Sequence, residues 1–445
     1  MALLEKRSPS GDEEASAWTR RAIDWITETA PALAKGGFHT PNHRWVITSA
    51  LTLALELAPS LRGEIQPAMD AYLAEGLDID SDGFWLERSV GIYDGVTNRS
   101  LLILQEYDRL PGALEAVRKN LEADLFLIHG DGTAETVISK RQDAGKKAVP
   151  ASLIPCYIRA GIILKEPKFL AAADLLWSAG AEAIPFDDLF WTRWSQAWHG
   201  DPTETPAASL PDHYWHVFPT QRVARYRNGK TEATVVANDP SYLRFRHGEA
   251  RILGVRFFQA IHGVGLFSAD AWEPGEHGVR LSSSGYRHQR PGYMQPLGKP
   301  VPWDQWEETI EERDLRYLPP LDVEIQIEFH DSSATGRIQT LGALPGGIAE
   351  LAIDVPAGGV LELEGGAFPI CPQQEIFLEH GSALIRFGED TIRIGSGNRA
   401  HRLWHIKDLA PPAQCARIVI PFRTPVDASF SFQGASFPAL APGLR

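Results

Sequence analysis

Two polar segments in the first hundred residues combine residue types that can move protons. The first, residues 38–45, contains an amide and an imidazole side by side as Asn42 and His43. The second, residues 82–93, ends in Tyr93. A neutral imidazole, with a reference pKa of about 6.5, can accept a proton near neutral pH, and a phenol can donate one. The two segments together predict acid–base chemistry.

Arg44 directly follows the amide-imidazole pair. Polar groups gathered at the start of a helix favour an anion, so this segment is a candidate for anion binding. The simpler interpretation is that Asn42 caps the helix while His43 and Arg44 are solvated. The sequence alone leaves both interpretations open.

The spacing of apolar residues predicts the elements that position these segments. From residue 14 to about residue 200, apolar residues recur every three or four positions, which indicates amphipathic helices. Gly, Pro and Asp residues separate the helices. We predict seven helices, near residues 14–33, 43–58, 62–75, 90–107, 111–128, 148–163 and 167–183.

The pattern changes around residue 200. Residues 200–212 are rich in Pro, Ala, Ser and Thr and show no period, which indicates a domain boundary. Alternating and β-branched stretches follow without intervening helices, as expected for antiparallel sheets. We therefore predict a multidomain α+β chain, with an α-helical domain over residues 1–205 and a large antiparallel β-sandwich over residues 206–445. The predicted strands include residues 231–239, 241–248, 323–330, 348–355 and 416–422.

The second polar segment also carries a motif. It reads Asp-Gly, three residues, Glu, one residue, Ser and then Tyr, and the matching positions are Asp82, Gly83, Glu87, Ser89 and Tyr93. With the Asn-His pair, this motif resembles that of the heparinase II/III-like and alginate-lyase group of polysaccharide lyases. The resemblance implies an incomplete (α/α) toroid of helical hairpins followed by the sandwich. Residues 238–248 resemble the first sandwich strands of that group.

The chain departs from the motif of that group at two places. Val90 and Gly91 stand where one proline is usual, and Asp94 replaces the histidine that follows the tyrosine. We expect these departures to bear on the class of substrate.

The resemblance implies cleavage of a uronic-acid-containing glycan by β-elimination. The C5 proton becomes acidic only when the neighbouring carboxylate is neutralised, and Asn42 and Arg44 are predicted to supply the hydrogen bonds that do this. His43 is predicted to accept the proton, and Tyr93 to protonate the departing oxygen. The predicted catalytic residues are Tyr93, His43 and Asn42.

Further polar side chains are predicted to bind the substrate. If Tyr93 acted as a base, a cation such as Arg88 or Arg99 would have to stabilise its phenolate. The resemblance also implies that a histidine of the sandwich completes the site. The predicted substrate-binding residues are Arg44, Glu87, Arg88, Asn98, Arg99, Arg141, Gln142, His213, His216 and His247.

Residues 78–83 resemble the opening of a calcium-binding loop, because acidic residues alternate before a glycine. The twelfth position of such a loop requires a bidentate glutamate, and Ser89 occupies it. An EF-hand is therefore not predicted. We expect that no cofactor is required, while a structural divalent metal stays open.

Two other functions are compatible with the sequence. A glycoside hydrolase on an α/α toroid would use two carboxylates as acid and base. A non-catalytic carbohydrate-binding protein would need neither. Elimination leaves a C4–C5 double bond that absorbs in the near ultraviolet, whereas hydrolysis does not. The carboxylates available to a hydrolase are Asp80, Asp82, Glu87 and Asp94.

The composition restricts the partners. A net charge of −14 over 445 residues disfavours nucleic acid and anionic membranes, so a uronate-containing glycan remains the expected partner. The three cysteines are too few and too scattered for a disulfide framework. No signal-peptide core follows the charged start, which predicts a cytoplasmic protein, or a periplasmic or secreted one if a leader has been removed. The oligomeric state is not predicted.

Overall fold

The structure is a computed structural model that describes residues 13–37, 39–180, 186–199, 208–260, 265–284, 293–316, 322–342, 345–402 and 412–437. The chain divides into two compact units, Met1–Pro211 and Asp212–Arg445. The domain boundary predicted at residues 205 and 206 lies outside the described residues. In the described part, no helix combines the length and the apolar character needed to cross a bilayer.

Helices form the first unit. Seven of them correspond to predicted helices, and α8, which carries a tryptophan-rich stretch, is an additional helix that the sequence analysis does not predict. The described helices are α1 (Glu13–Ala34), α2 (Pro41–Leu57), α3 (Arg62–Ala74), α4 (Tyr93–Glu106), α5 (Ala113–Leu127), α6 (Ile154–Leu164), α7 (Pro167–Gly180) and α8 (Phe186–His199).

The first three helices share an apolar core. Four residues at i, i+3, i+4 and i+7 place one apolar stripe along α2 and the residue after it, and this stripe packs against α1 and α3. The buried members of this core are Ala30, Leu51, Ala54, Leu55, Ala58, Leu61, Ile65 and Met69.

A chain of buried amides joins α4 and α5 to the loop that precedes α4. The indole N–H of Trp85 donates to Oδ1 of Asn98 over 3.0 Å, and Nδ2 of Asn98 donates to Oδ1 of Asn120 over 2.7 Å. Nδ2 of Asn120 then donates to the carbonyl of Gly83 over 3.0 Å. Asn98 is 0 % exposed, so this side chain holds the loop and, in this arrangement, cannot contact a substrate as predicted.

A pair of buried carboxyl groups lies beside these amides. Asp94 in the first turn of α4 is 1 % exposed and interacts directly with Asp124 of α5, which is 0 % exposed. Burial, with the charges of Asp143 and Glu87, raises the pKa of Asp94 to about 7. Burial and the proximity of Asp94 also raise the pKa of Asp124. The pair is therefore stable only while it retains a proton between its two carboxyl groups.

The second unit is built from strands. They are β1 (His213–Phe218), β2 (Val223–Asn228), β3 (Thr231–Val236), β4 (Leu243–His247), β5 (Ala250–Gln259), β6 (Ala271–Pro274), β7 (Gly278–Ser283), β8 (Tyr293–Met294), β9 (Leu315–Arg316), β10 (Asp322–His330), β11 (Ser333–Leu341), β12 (Ile348–Pro356), β13 (Val360–Leu363), β14 (Gly366–Pro369), β15 (Glu375–Phe377), β16 (Ser382–Phe387), β17 (Asp390–Gly395), β18 (Cys415–Arg423) and β19 (Asp427–Ser436). The five stretches predicted as strands fall on β3, β4, β10, β12 and β18.

All of these strands except β8 and β9, which pair with each other, form two large sheets. The first has the order β1-β2-β3-β4-β5-β12-β18-β15, and the second has the order β14-β13-β16-β17-β19-β11-β10-β7-β6. Neighbouring strands are antiparallel except for β15 and β18. Side chains such as Leu351 and Ile418 of the first sheet share one core with Ile327 and Phe432 of the second. The predicted fold class, an α+β chain with a helical part followed by an antiparallel β-sandwich, is confirmed.

The close approach of α4 to the segment around Ser152 yields a first prediction. A Cβ atom added at Gly95 would lie 2.3 Å from Oγ and 2.6 Å from the carbonyl carbon of Ser152. We expect Gly95→Ala to lower the free energy of unfolding by about 1–3 kcal/mol, because α4 must move away. Urea denaturation measures the change.

The matched control is Gly63→Ala in α3, where an added Cβ meets no atom within 4 Å. We expect this substitution to raise the free energy of unfolding by about 0.5–1 kcal/mol, because alanine restricts the unfolded chain. Equal effects of the two substitutions would contradict the packing argument.

The buried carboxyl pair gives a pH dependence. Because folding raises the pKa of Asp94 from about 3.9 to about 7, the folded state binds more protons than the unfolded state between these values. The contribution of Asp94 to the stability of the fold is complete below about pH 4 and is lost as the pH rises through about 7. We expect Asp94→Asn to flatten this part of the stability profile, since an amide at this position does not titrate.

Thermal unfolding between about pH 5 and about pH 8 measures this effect, as the difference between the variant and the parent. Asp174→Asn, at an exposed position of α7, is the control and should leave the slope unchanged. A parent-like slope in Asp94→Asn would show that Asp94 does not hold this proton.

Candidate active site

The turn before α4 places Tyr93 at the first position of that helix. The Ser89 carbonyl accepts hydrogen bonds from the backbone N–H groups of Ile92 and Asp94. The Ser89 hydroxyl oxygen accepts a further bond from the N–H of Tyr93 over 3.2 Å. One serine thus accepts the hydrogen bonds of the backbone N–H groups at the start of the helix and fixes the backbone of Tyr93.

Asp143 holds this turn from the other side. Its buried carboxylate accepts hydrogen bonds from the hydroxyl of Ser89 over 2.9 Å, the hydroxyl of Ser139 over 2.5 Å and the N–H of Gly91 over 3.1 Å. A Cβ atom at Gly91 would lie 2.7 Å from Oδ2 of Asp143, so only glycine allows this approach. Asp143 therefore connects the turn before Tyr93 to the loop of residues 139–145.

That loop brings Arg141 onto Tyr93. The guanidinium carbon of Arg141 lies 4.6 Å from the centroid of the Tyr93 ring. The pKa of Arg141 is raised chiefly by its interaction with the Tyr93 side chain and, to a lesser degree, by the charge of Glu87. The cation beside Tyr93 is therefore Arg141, and not Arg88 or Arg99 as the sequence analysis proposed.

Glu87 extends the contact towards α2. Its buried carboxylate lies 3.5 Å from Nε of Arg141. Burial raises the pKa of Glu87, whereas the charges of Arg141 and His43 oppose the rise. Glu87 thus lies within electrostatic range of both groups. The structure brings together Glu87, Arg141 and Tyr93, and His43 lies within electrostatic range of Glu87. We call these four residues the tyrosine cluster.

The start of α2 presents two of the predicted catalytic residues. Thr40 occupies the position before the helix and Pro41 is its first residue, so Asn42 lies inside the first turn and does not cap the helix. The hydroxyl of Thr40 donates to Oδ1 of buried Asn42 over 2.6 Å, which leaves the amide nitrogen as the donor. His43 is exposed.

Arg44 is tied to acidic groups of the chain, which corrects its predicted role. It donates to Oδ1 of Asp78 over 2.9 Å and lies 3.4 Å from Oε2 of Glu75. Its guanidinium also lies 4.1 Å from the centroid of the Trp45 ring. Only 5 % of its side chain is exposed, so Arg44 in this arrangement does not serve a substrate carboxylate.

The other predicted residues of the first unit are spread around the tyrosine cluster. Arg88 is half-buried and interacts with Asp80, and burial lowers its pKa. The guanidinium of Arg99 lies 4.9 Å from the centroid of the Trp191 ring on α8. Gln142 is exposed in the loop that carries Arg141.

The three predicted histidines belong to the second unit. His213 is exposed and its Nδ1 lies 2.7 Å from Oδ1 of Asp212. Burial lowers the pKa of His216. Both ring nitrogens of His247 are engaged, with the hydroxyls of Thr231 at 2.8 Å and Ser436 at 3.1 Å.

The acidic residues considered for calcium or for hydrolysis have separate partners. Asp78 accepts from Arg44 and from the indole N–H of Trp45. Oδ1 of Asp80 accepts from the N–H groups of Asp82 and Phe84 within its own turn. Among the described residues, no three His, Cys, Asp or Glu side chains form a group that could hold a metal ion.

Asp143, which connects the turn before Tyr93 to the loop of residues 139–145, is not among the residues predicted from the sequence. Its only signal is its place in the polar stretch of residues 139–143, which follows Tyr93 by almost fifty positions. Its three hydrogen bonds become visible only when the two segments meet in the fold.

Comparisons with known proteins address the fold. No protein-family model matches the chain, and no curated protein sequence matches it. A heparinase III superposes with a TM-score of 0.52 at 11% identity, over 94% of this chain and 63% of its own. The chondroitin AC lyase of Streptomyces coelicolor A3, in complex with chondroitin sulphate, superposes with a TM-score of 0.52 at 13% identity, over 95% and 65%.

The chain therefore spans less than two thirds of the length of either enzyme. Both superpositions cover the helical unit and the sandwich together, since they include more than nine tenths of this chain. The chain has the fold of these two polysaccharide lyases, as the motif around Tyr93 predicted.

Proposed function

We propose that this chain is a lyase that cleaves a uronic-acid-containing glycan by β-elimination. The observation that carries the proposal is the contact between the Arg141 guanidinium and the ring of Tyr93. The shared fold with two polysaccharide lyases supports the reaction class. The contact supports the location of the site, since it places a guanidinium beside the phenol of the motif.

Elimination first requires that the uronate carboxylate lose its effective charge. Arg141 suits this task better than Arg44, because 30 % of its side chain is exposed and its carboxylate partner is 3.5 Å away. A guanidinium can bind a carboxylate through two parallel hydrogen bonds. Asn42 is 1 % exposed, so in this arrangement it is not a donor to the substrate carboxylate, and the proposal leaves that task to Arg141.

The proton steps then follow from the tyrosine cluster. His43 accepts the C5 proton, and the electrons of the broken C–H bond form the C4–C5 double bond. The bond between C4 and the glycosidic oxygen breaks, and Tyr93 gives that oxygen its proton. Arg141 stabilises the phenolate left on Tyr93, and Glu87 stabilises the imidazolium formed on His43.

The paired-carboxylate mechanism of a hydrolase finds less support. A hydrolase needs two carboxyl groups that flank the scissile bond. Asp94 is enclosed beside Asp124, and Asp80 accepts two backbone N–H groups of its own turn. Glu87 is already paired with Arg141. Elimination is therefore the function that we propose.

Tyr93→Phe tests the reaction directly. We expect kcat to fall by about 10²–10⁴-fold while the thermal unfolding midpoint is unchanged, because only the hydroxyl that transfers the proton is lost. The assay is the near-ultraviolet absorbance of the unsaturated product, over a panel of uronate-containing oligosaccharides. Parent-like turnover in the variant would remove Tyr93 from the mechanism.

Arg141→Ala and Lys140→Ala form a matched pair on one loop. Lys140 is exposed and precedes the arginine that contacts Tyr93. We expect Arg141→Ala to lower kcat/KM by about 10²-fold, as for other donors that stabilise a transition-state charge. Lys140→Ala should stay within about threefold of the parent. The same loss in both variants would mean that general charge, and not the contact with Tyr93, governs activity.

A further inference from the structure

The outward face of the second sheet carries a continuous groove. Two cavities of ≈ 490 and ≈ 610 Å³ lie along it. They share Gln326 and Glu328 in their walls. The cavities therefore adjoin one another, and we call them together the cross-sheet groove.

The groove runs across the strands and not along them. Its walls come from β7, β10, β11, β19, β17 and β16, which are consecutive in the sheet. Neighbouring strands lie about 4.8 Å apart, so six strands span roughly 24 Å. A groove of this length suits an extended chain better than a single small molecule.

The register of the strands explains why the groove exists. Thr335 pairs with Ser431, Ser431 with Gly395, and Gly395 with Ser382, so one row of small residues crosses four strands. Long side chains occupy the two rows on either side, about 7 Å away. One flanking row contains Gln326 and Arg337, and the other contains Gln433 and Arg393.

The chemistry of the groove favours a polyhydroxylated ligand. Hydroxyl groups form most of the floor, amides and guanidinium groups form the rims, and the carboxylate of Glu328 on β10 ends the floor row next to Thr335. Such groups both donate and accept hydrogen bonds, as sugar hydroxyls require. An extended peptide would need a free strand edge, but the central strands of this sheet are paired on both sides. A net charge of −14 disfavours nucleic acid.

The two ends of the groove differ in charge: three glutamates, including Glu328, line the end at β7 and β10, whereas Arg393 on β17 gives the other end a site for negative charge. Arg337 is neutralised by two bonds of 2.8 Å to Asp427. Arg393 is exposed and donates to the Ser382 hydroxyl on the floor over 2.9 Å, and no carboxylate of the described residues pairs with it. An exposed guanidinium without an internal counter-charge can bind a carboxylate of a ligand.

We infer that the cross-sheet groove binds a linear glycan chain that carries carboxylate groups. The inference takes its ligand class from the proposed function, but the groove lies entirely within the second unit and binds without cleaving. It would hold an acidic polysaccharide on the sandwich through the row of small residues and Arg393.

Calorimetry with the Tyr93→Phe chain tests the groove without turnover. The probes are alginate, polygalacturonate and chondroitin oligosaccharides long enough to cross six strands, with a cello-oligosaccharide as the uncharged counterpart. We expect one of the acidic probes to bind, and Arg393→Ala to weaken its binding at the groove by about tenfold. Ser431→Trp should abolish this binding, because the indole fills the floor.

Arg62→Ala, an exposed arginine of α3, is the matched control and should leave the isotherm unchanged. Thermal unfolding checks that each variant is folded. Parent-like isotherms in Arg393→Ala and Ser431→Trp would overturn the inference, as would binding of the uncharged probe with equal affinity. If no uronate glycan is cleaved by the parent and yet the isotherm responds to these two substitutions, the proposed function fails and the groove stands.

Discussion

The carboxylate of Asp143 is the constraint on which the candidate site depends. Its bonds to Ser89 and Gly91 fix the turn that begins α4, and its bond to Ser139 fixes the loop that carries Arg141. Tyr93 and Arg141 lie almost fifty positions apart in the chain, so their contact needs a link of this kind. A buried carboxylate with three donors is rigid, because each lost bond would leave a desolvated charge.

Much of the fold is predictable because its signals are local. Apolar residues at helical spacing mark seven of the eight described helices, and alternation marks strands such as β10, where Val323, Ile325, Ile327 and Phe329 are buried in turn. The eighth helix, α8, begins directly after residues outside the described part. Its tryptophans attract cations, as Arg99 on Trp191 and Arg159 on Trp194 show. The tryptophans of α8 thus serve partly as partners for charge.

The site is predictable in its residue types but not in its pairings. The motif correctly places Glu87, Ser89 and Tyr93 along one short segment, because sequence neighbours stay close in any fold. The partner of each cation depends on which distant acidic residue the fold places next to it. Arg44 meets Asp78 over thirty positions away, and Arg141 meets Glu87 and Tyr93. No local pattern distinguishes these two arginines, so only the folded chain shows which one stays exposed.

The departures from the lyase motif have structural partners in the interior of the helical unit. Asp94, which replaces the usual histidine, is enclosed beside Asp124 and cannot touch a ligand. Gly91, part of the segment that replaces the usual proline, supplies the N–H and the space that Asp143 needs. Since proline has no N–H to donate, the change of backbone and the buried acid are mutually dependent. The support beneath Tyr93 thus differs from the motif, while the tyrosine itself matches it.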